Sequence, residues 1–503
     1  MCNLFAKYFA SVFKHDTYEN FVVSQLVPDL HIGDITEDEV KVILRKLDQF
    51  NVSSPDGIPA IFYKQLSVSI SLPLSILFNK SIQEGVFPST WKISNVTPVY
   101  KTGKKSDVCN YRPINILAAV SKVFERIVFN KVYQHVRKFI TSSQHGFVTG
   151  KSTLTNLLEF VTKITDSILD GGQLDVIFTD FSKAFDQVSH ELLLCKLQNF
   201  GIKSNTLQWF RSHLSERSQY VVIGGSKSNG FTPTSGVPQA SILGPLLFLL
   251  FINDLPDIFS SSSSLYADDN KIFRKIECAA DGFGLQTDLV SFSKWCDSNK
   301  LDLNPDKCSA LSITCKSQPI DYQYSIRDKP IVKENEKKDL GVTFDNKDSF
   351  SSHISIMTKK SYQLIGFIFR TTQHFRRPAS LIKLYNTYVR SRLEYCSVIW
   401  NPHYDKYKDQ IEKVQRKFTR MLYYRFNWYK PDYPTRLKQL RMKSLETRRL
   451  ELDDMFLYKI IHGKVDTNLP ICFPYLTSST TMIHPTKHLQ PLLFANSVIK
   501  HSA

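Results

Sequence analysis

The central part of the sequence predicts an α+β fold, on three observations. The run Leu174-Asp-Val-Ile-Phe-Thr-Asp180 reads as a strand that ends on a carboxylate. Leu285, Leu289, Phe292 and Trp295 recur at helical spacing. Strand-like residues return near 265–273 and over 308–314, so strands and helices alternate from 174 to 314. That alternation favours helices packed on a sheet.

Taken in order, residues 1 to about 50 read as charged and helical, with Thr36-Glu-Asp-Glu-Val a good helix start. Ser53-Ser-Pro-Asp-Gly-Ile-Pro59 is a loop, and a helical stretch follows to about Glu84. Val96-Thr-Pro-Val-Tyr-Lys101 reads as a strand, Thr102-Gly-Lys-Lys105 as a loop, and Asn110-Tyr-Arg-Pro-Ile114 as extended chain. Helices are expected over about 121–139 and 153–169, then over 188–200, where Gly201 stops the helix. A hairpin is expected with 219–223 and 231–232 as its arms and Gly224-Gly225 near its turn. Ser235 to Gln239 is a loop that leads into an apolar helix ending near Leu255. The Ser run 260–264 favours a loop, whereas Leu265-Tyr266 and Ile272-Phe273 are strand-like. Between them Ala267-Asp268-Asp269 falls at or near a hairpin turn. Beyond about 350 the pattern is helical and basic, and there is no internal repeat.

The length of 503 residues suggests two to four domains as a soft prior, and 42% hydrophobic content suffices for sizeable cores. Nine cysteines, scattered and without a C-x-x-C pair, argue against a zinc ribbon or a secreted disulfide scaffold. Reduced intracellular thiols are the simplest account. Cys472 with His484 and His488 is the nearest approach to a metal pattern, and Pro485 interrupts its helical spacing. No stretch approaches the ~18 apolar residues of a membrane span, and the N-terminus lacks the layout of a signal peptide.

The net charge of +17 is concentrated, because residues 351–450 hold 22 Lys and Arg against 6 Asp and Glu. Aromatics such as Tyr385, Trp400, Tyr424, Trp428 and Tyr429 interleave the basic residues. Phosphate attraction with base or sugar stacking is one use of such a surface. The other reading is a set of solvated helix faces, although a merely soluble face would mix both signs.

Adjacent carboxylates alone are a weak signal. Asp453-Asp454, in a charged helical context, reads as a solvated face. What raises Asp268-Asp269 is Asp180, a second carboxylate at the end of an apolar strand. Nucleotidyl transfer needs carboxylates from separate strand ends to hold two Mg²⁺ ions. One ion activates the attacking hydroxyl and the other neutralises the leaving pyrophosphate. Between the two strand ends lies Ser235-Gly-Val-Pro-Gln239-Ala-Ser-Ile-Leu-Gly-Pro245, a kinked loop whose backbone can approach a substrate closely.

With these blocks in order, the chain resembles a reverse transcriptase of the non-LTR (LINE-type) retrotransposon family. Asp180-Phe-Ser-Lys-Ala-Phe-Asp186 matches the first catalytic block, Ser235 to Pro245 the next, and Tyr266-Ala-Asp-Asp269 the second catalytic block. Tyr111-Arg-Pro-Ile114, Gln144-His-Gly-Phe147, Asp339-Leu-Gly-Val342, Leu393-Glu-Tyr395, Ser397-Val-Ile-Trp400 and Gln415-Arg-Lys-Phe418 extend the match over roughly 50–460. The resemblance implies a right-hand polymerase that copies an RNA template from a DNA primer with dNTPs. Its parts would be a helical extension to 50, fingers over 51–170, a palm with an antiparallel sheet over 171–347, a basic helical thumb over 348–460 and a tail from 461. The reverse transcriptase domain itself would cover about 85–347.

Carried over by position, Asp180, Asp268 and Asp269 would bind two Mg²⁺, with Asp180 and Asp268 the more direct ligands. Phe181 would offer its backbone at the metal and triphosphate. Phe185 would sit under the sugar and exclude a 2′-hydroxyl, unless it is a core aromatic. Lys101 and Arg112 would clamp the triphosphate, or are surface cations. Gln239 would contact the nucleotide–template pair, or brace its own loop. Lys307 stands where a general acid for pyrophosphate could be. Lys183 and Asp186 read as structural, in an exposed first turn after the strand.

The sequence departs from the family pattern at Ala240, where Gly is usual; a positive φ there would strain alanine. The stretch before the fingers is too short for the endonuclease of full-length elements, so a separate partner would have to supply it. A catalytically inactive remnant that binds RNA remains the alternative. The expected location is intracellular, nuclear or cytoplasmic.

Overall fold

The structure is a computed structural model and describes residues 1–14, 27–48 and 54–467. The Cys472, His484 and His488 pattern lies outside the described residues, as do parts of the N-terminal extension and the tail from 468 onward. Along the chain come β1 (Ile93–Tyr100), β2 (Tyr111–Ile116), β3 (Gln173–Thr179), β4 (Ser218–Ile223), β5 (Ser226–Lys227), β6 (Ser262–Tyr266), β7 (Asp269–Ile276) and β8 (Ser309–Thr314). With the helices between them they make a mixed α/β protein. None of the helices among the described residues is long and apolar enough to cross a membrane.

The chain divides into two compact units. The first comprises Met1–Phe147, Thr179–Asn270 and Thr287–Lys307, and the second Val148–Phe178, Lys271–Gln286 and Cys308–Ala503. Both are discontinuous in sequence, whereas the sequence reading divides the chain linearly.

In the first unit β1 pairs antiparallel with β2 and parallel with β4. Val99 lies opposite Arg112, and the Lys101 amide donates to the Asn110 carbonyl at 2.8 Å. Lys101 and Arg112 therefore sit on the two arms of one hairpin. The helix Cys2–Ala10 turns Cys2, Phe5, Ala6 and Phe9 onto Val96 and Val221, a small core under this sheet. A larger aromatic core holds the helices: Phe78 and Phe124 stack at 4.3 Å, and the Trp209 indole donates to Ser81 Oγ at 3.0 Å. The expected start at Thr36 is a full capping box with Glu39. Glu125, fully buried on the helix Ala119–Val136, accepts from His213 Nε2 at 3.2 Å and from the Ile242 amide at 2.8 Å. That bond fixes the entry of the helix Leu243–Phe251, whose side chains are almost all buried.

In the second unit β8 lies antiparallel to β3, with β7 next to β3 on its other side. Every residue of β3 and β8 is buried, the polar Gln173, Asp175, Ser309 and Ser312 included. Leu174, Val176, Phe178, Leu311 and Ile313 pack with Leu157, Phe160 and Ile164 of the helix Thr153–Leu169. The same core takes Ile354 and Ile365 of the helix Ser351–Thr371 and Val414 and Phe418 of the helix Asp405–Arg425. The basic C-terminal region is thus helical, as its spacing predicts.

Three sequence readings need correction. The Ser run is not all loop, because Ser262–Ser264 open β6. The hairpin turning on Gly224-Gly225 returns at once through β5, because both glycines adopt positive φ and close a two-residue turn; Phe231 makes only an isolated bridge to Gln219. Asp453 is half-buried rather than solvated. It accepts from Asn401 Nδ2 at 2.8 Å, and burial pushes its carboxyl up to about 6.

Candidate active site

The site is built within the first unit, from the ends of two strands. Thr179, last in β3, donates through Oγ1 to the Asn270 carbonyl at 3.1 Å, and Asn270 Nδ2 approaches Thr179 Oγ1 at 3.3 Å. This pairing sets Asp180, the residue after β3, beside the start of β7. There β6 turns into β7 through two residues, Ala267 and Asp268, with Ala267 at φ 56°. Two-residue hairpins need such left-handed geometry, because it matches the twist of the flanking strands. Asp268 therefore stands on the turn and is half-buried, while Asp269 opens β7 and is exposed.

A third segment closes on Asp180 from behind. Phe181 forms an isolated bridge with Leu303, Ser182 donates its amide to the Asp302 carbonyl at 2.8 Å, and the Asn304 amide donates to the Asp180 carbonyl at 2.9 Å. The following turn brings Lys307 Nζ to 3.3 Å from Asp180 Oδ2. The lysine side chain is 61% exposed and the aspartate 33%, so the ion pair faces solvent and adds little to stability.

Burial pushes the Asp268 carboxyl above its ordinary range, and the neighbouring Asp180 charge pushes it further. Lys101 and Arg112 act on the same carboxylate in the opposite direction. Two anions and two cations thus share one electrostatic neighbourhood, although Lys101 and Arg112 come from a hairpin far away in sequence. Among the described residues no three His, Cys, Asp or Glu side chains gather as a metal-holding group. The donor chemistry still suits a hard divalent cation. Asp180 and Asp268 offer carboxylate oxygens, and Asp180 already attracts an ammonium group.

Phe181 is buried and meets Phe292 edge-on at 5.6 Å. Phe185 is half-buried, its ring stacked on the buried Phe248 at 4.3 Å and 17°. Gln239 donates through Nε2 to Asp186 Oδ1 at 2.7 Å, which is the bracing contact, and Lys101 and Arg112 are both exposed. Ala240 adopts φ 66°, the left-handed region in which alanine is strained.

Asp186 is not on an exposed turn. Lys183 takes φ 50°, which swings the chain so that Asp186 turns inward and is 8% exposed. The Ser235–Gln239 loop closes over it. Ser235 Oγ donates to the Asp186 carbonyl at 2.7 Å, and the Val237 amide donates to the Phe185 carbonyl at 2.8 Å. A Cβ on Gly236 would lie 2.7 Å from the Asp186 carbonyl oxygen, so the crossing has no room for a side chain. Burial pushes the Asp186 carboxyl up to about 6, against the pull of Gln239 and Lys183. Lys183 stays outside, exposed, with its ammonium 2.6 Å from the Tyr8 hydroxyl. Asp186 is thus structural, as the sequence suggests, but buried; Glu125 is the loop support that sequence reasoning missed, since its partner Ile242 is 117 positions away.

Comparison with known proteins shows the family of the chain. The family model described as reverse transcriptase (RNA-dependent DNA polymerase) matches residues 103–369, more than half of the chain. A probable RNA-directed DNA polymerase from transposon BS of Drosophila melanogaster is 28% identical over 72% of this chain and 42% of its own length. The RNA-directed DNA polymerase from the mobile element jockey of the same organism is 29% identical over 67% of this chain and 38% of its own length. A probable RNA-directed DNA polymerase from its transposon X-element is 26% identical over 78% of this chain and 44% of its own length. The chain thus spans about two fifths of the length of these curated relatives. It belongs to the reverse transcriptase (RNA-dependent DNA polymerase) family, in its LINE-type, non-LTR retrotransposon branch.

Proposed function

We propose that this chain is an RNA-directed DNA polymerase that extends a DNA primer on an RNA template with dNTPs. The observation that carries the reading is the pairing of Asp180 with Asp268 on neighbouring chain ends, with Lys101 and Arg112 acting on the same carboxylate. In the reaction the primer 3′-oxygen bonds to the α-phosphorus, the bond to pyrophosphate breaks, and the hydroxyl proton leaves. Asp180 and Asp268 would hold divalent cations, Mg²⁺ by expectation and two in number, with Asp269 beside them and the Phe181 carbonyl in reach of the same ions. When bound, such cations lower the pKa of the attacking hydroxyl and neutralise the leaving phosphates.

The remaining residues bind and orient. Lys101 and Arg112 supply fixed positive charge for a triphosphate, which stabilises charge building on its oxygens. Phe185, held by its stack on Phe248, forms a rigid wall against a 2′-hydroxyl. Gln239, anchored by Asp186, is pre-set to meet the nucleotide–template pair. Lys307 neutralises Asp180 and would give a proton to pyrophosphate. The right-hand layout, with fingers over 51–170, palm over 171–347 and thumb over 348–460, belongs to the same reading. So does an intracellular, nuclear or cytoplasmic location. The interleaved aromatics and cations of 351–450 support backbone-dominated, salt-sensitive template binding.

The test is incorporation of dTTP on poly(rA)/oligo(dT) with Mg²⁺, beside Asp268→Ala. Wild type should incorporate and the variant should not. Equal incorporation by both, or RNA binding with none by either, refutes the reading and leaves an RNA-binding remnant.

A further inference from the structure

The segment Gln144-His-Gly-Phe147 touches the hairpin turn that carries Asp268. Gln144 is 2% exposed. Its Oε1 accepts from the Gly146 amide at 2.8 Å and from the Ala267 amide at 2.9 Å. Ala267 is the left-handed residue of that turn, so its N–H points away from the ladder and needs a partner there. On either side the main chains join: the His145 amide donates to the Leu265 carbonyl, and the Leu265 amide donates to the Ser143 carbonyl, each at 2.9 Å. Gly146 makes the approach possible, because a Cβ at that position would lie 2.5 Å from the Ala267 nitrogen.

We propose that Gln144 is a positioning residue for catalysis: its carboxamide oxygen clamps the Ala267 amide and so fixes the turn that aims Asp268. Gln144 acts through the turn and touches neither substrate nor cation. The inference rests on the polymerase reading only for its consequence in turnover; the clamp itself is a property of the fold. A buried donor left without its acceptor shifts an equilibrium roughly ten- to hundredfold. An unclamped turn would therefore populate other Asp268 orientations.

The experiment uses the full chain and three variants. Gln144→Met removes the acceptor at nearly constant volume, Gln144→Glu keeps an oxygen in place, and Trp209→Phe deletes the buried indole bond to Ser81 as a stability control. Hydrogen exchange read at the Ala267 amide should be at least tenfold faster in Gln144→Met and near wild type in Gln144→Glu and Trp209→Phe. Unchanged protection in Gln144→Met overturns the proposal whether or not the chain is active. With dTTP incorporation as the second readout, Gln144→Met should lower kcat ten- to hundredfold with KM for dTTP within twofold. An undiminished kcat, or a loss matched by Trp209→Phe at equal thermal destabilisation, also overturns it. A wild type that exchanges as expected but incorporates nothing refutes the polymerase reading and leaves the clamp standing.

Discussion

Replacing Asp186 by asparagine removes a buried charge and keeps an oxygen for the Gln239 amide. The carboxyl moves from an ordinary 3.8 to about 6 in the folded protein, mainly because burial penalises the charged form. Roughly two pKa units correspond to about 3 kcal/mol of differential stability. The sign follows from the direction of the shift. Below about pH 4 the group is protonated in both states and contributes no penalty. Between about 4 and 6 the unfolded chain ionises first, so stability falls as pH rises; above 6 the full penalty persists. Asp186→Asn should therefore be more stable than wild type by up to about 3 kcal/mol at pH 8, and the gap should close below pH 4. Urea midpoints for both proteins at pH 4, 5, 6 and 8 measure the gap, and other titrating groups cancel in the difference. A gap that is constant with pH, or that widens toward acid, refutes the assignment of a buried, protonation-prone carboxyl. A gap smaller at pH 8 than at pH 5 does so equally.

Three further outcomes are expected. Asp268→Asn should abolish incorporation while raising the thermal midpoint, because burial and the Asp180 charge both disfavour the ionised form; a lower midpoint would contradict this. Ala240→Gly removes a side chain from φ 66°, and the relief of about 1 kcal/mol, less the added freedom of the unfolded chain, should leave stability equal or slightly higher. A clear loss of stability in thermal denaturation would mean that the methyl group packs usefully. Phe185→Ala should cut the preference for dNTP over rNTP, measured as the ratio of kcat/KM, by at least tenfold. An unchanged ratio would assign the ring to packing on Phe248 alone.

What the sequence made legible was whatever is written in local pattern. Asp180 was visible because β3 is buried along its whole length and its apolar run stops at a carboxylate. Asp268 was visible because strand-like residues flank a short polar turn. The basic helices were visible because their apolar stripes keep helical spacing while charge fills the other faces. Asp186 was misread because its burial depends on Lys183 entering the left-handed region and on a loop around 235–239 folding over it. Neither event leaves a mark within the first block. Asp453 was misread for a similar reason, since its partner Asn401 is distant in the chain. The role of Gln144 was hidden because its partner, Ala267, is 123 residues away and contributes only a backbone amide. An amide carries no side-chain signature at all.

The crossing at Gly146 also bears on how copies of mobile elements are judged competent. A screen that scored Asp180, Asp268 and Asp269 would pass a copy with alanine at 146, since every acidic residue would be intact. Yet the added methyl would press on the Ala267 nitrogen, 2.5 Å from where it must sit, and displace the turn that carries one of those acids. On the proposed polymerase reading, drift in a genomic copy would thus silence it through a glycine that has no chemistry of its own. Position 146 deserves the same weight in such a screen as the acids themselves.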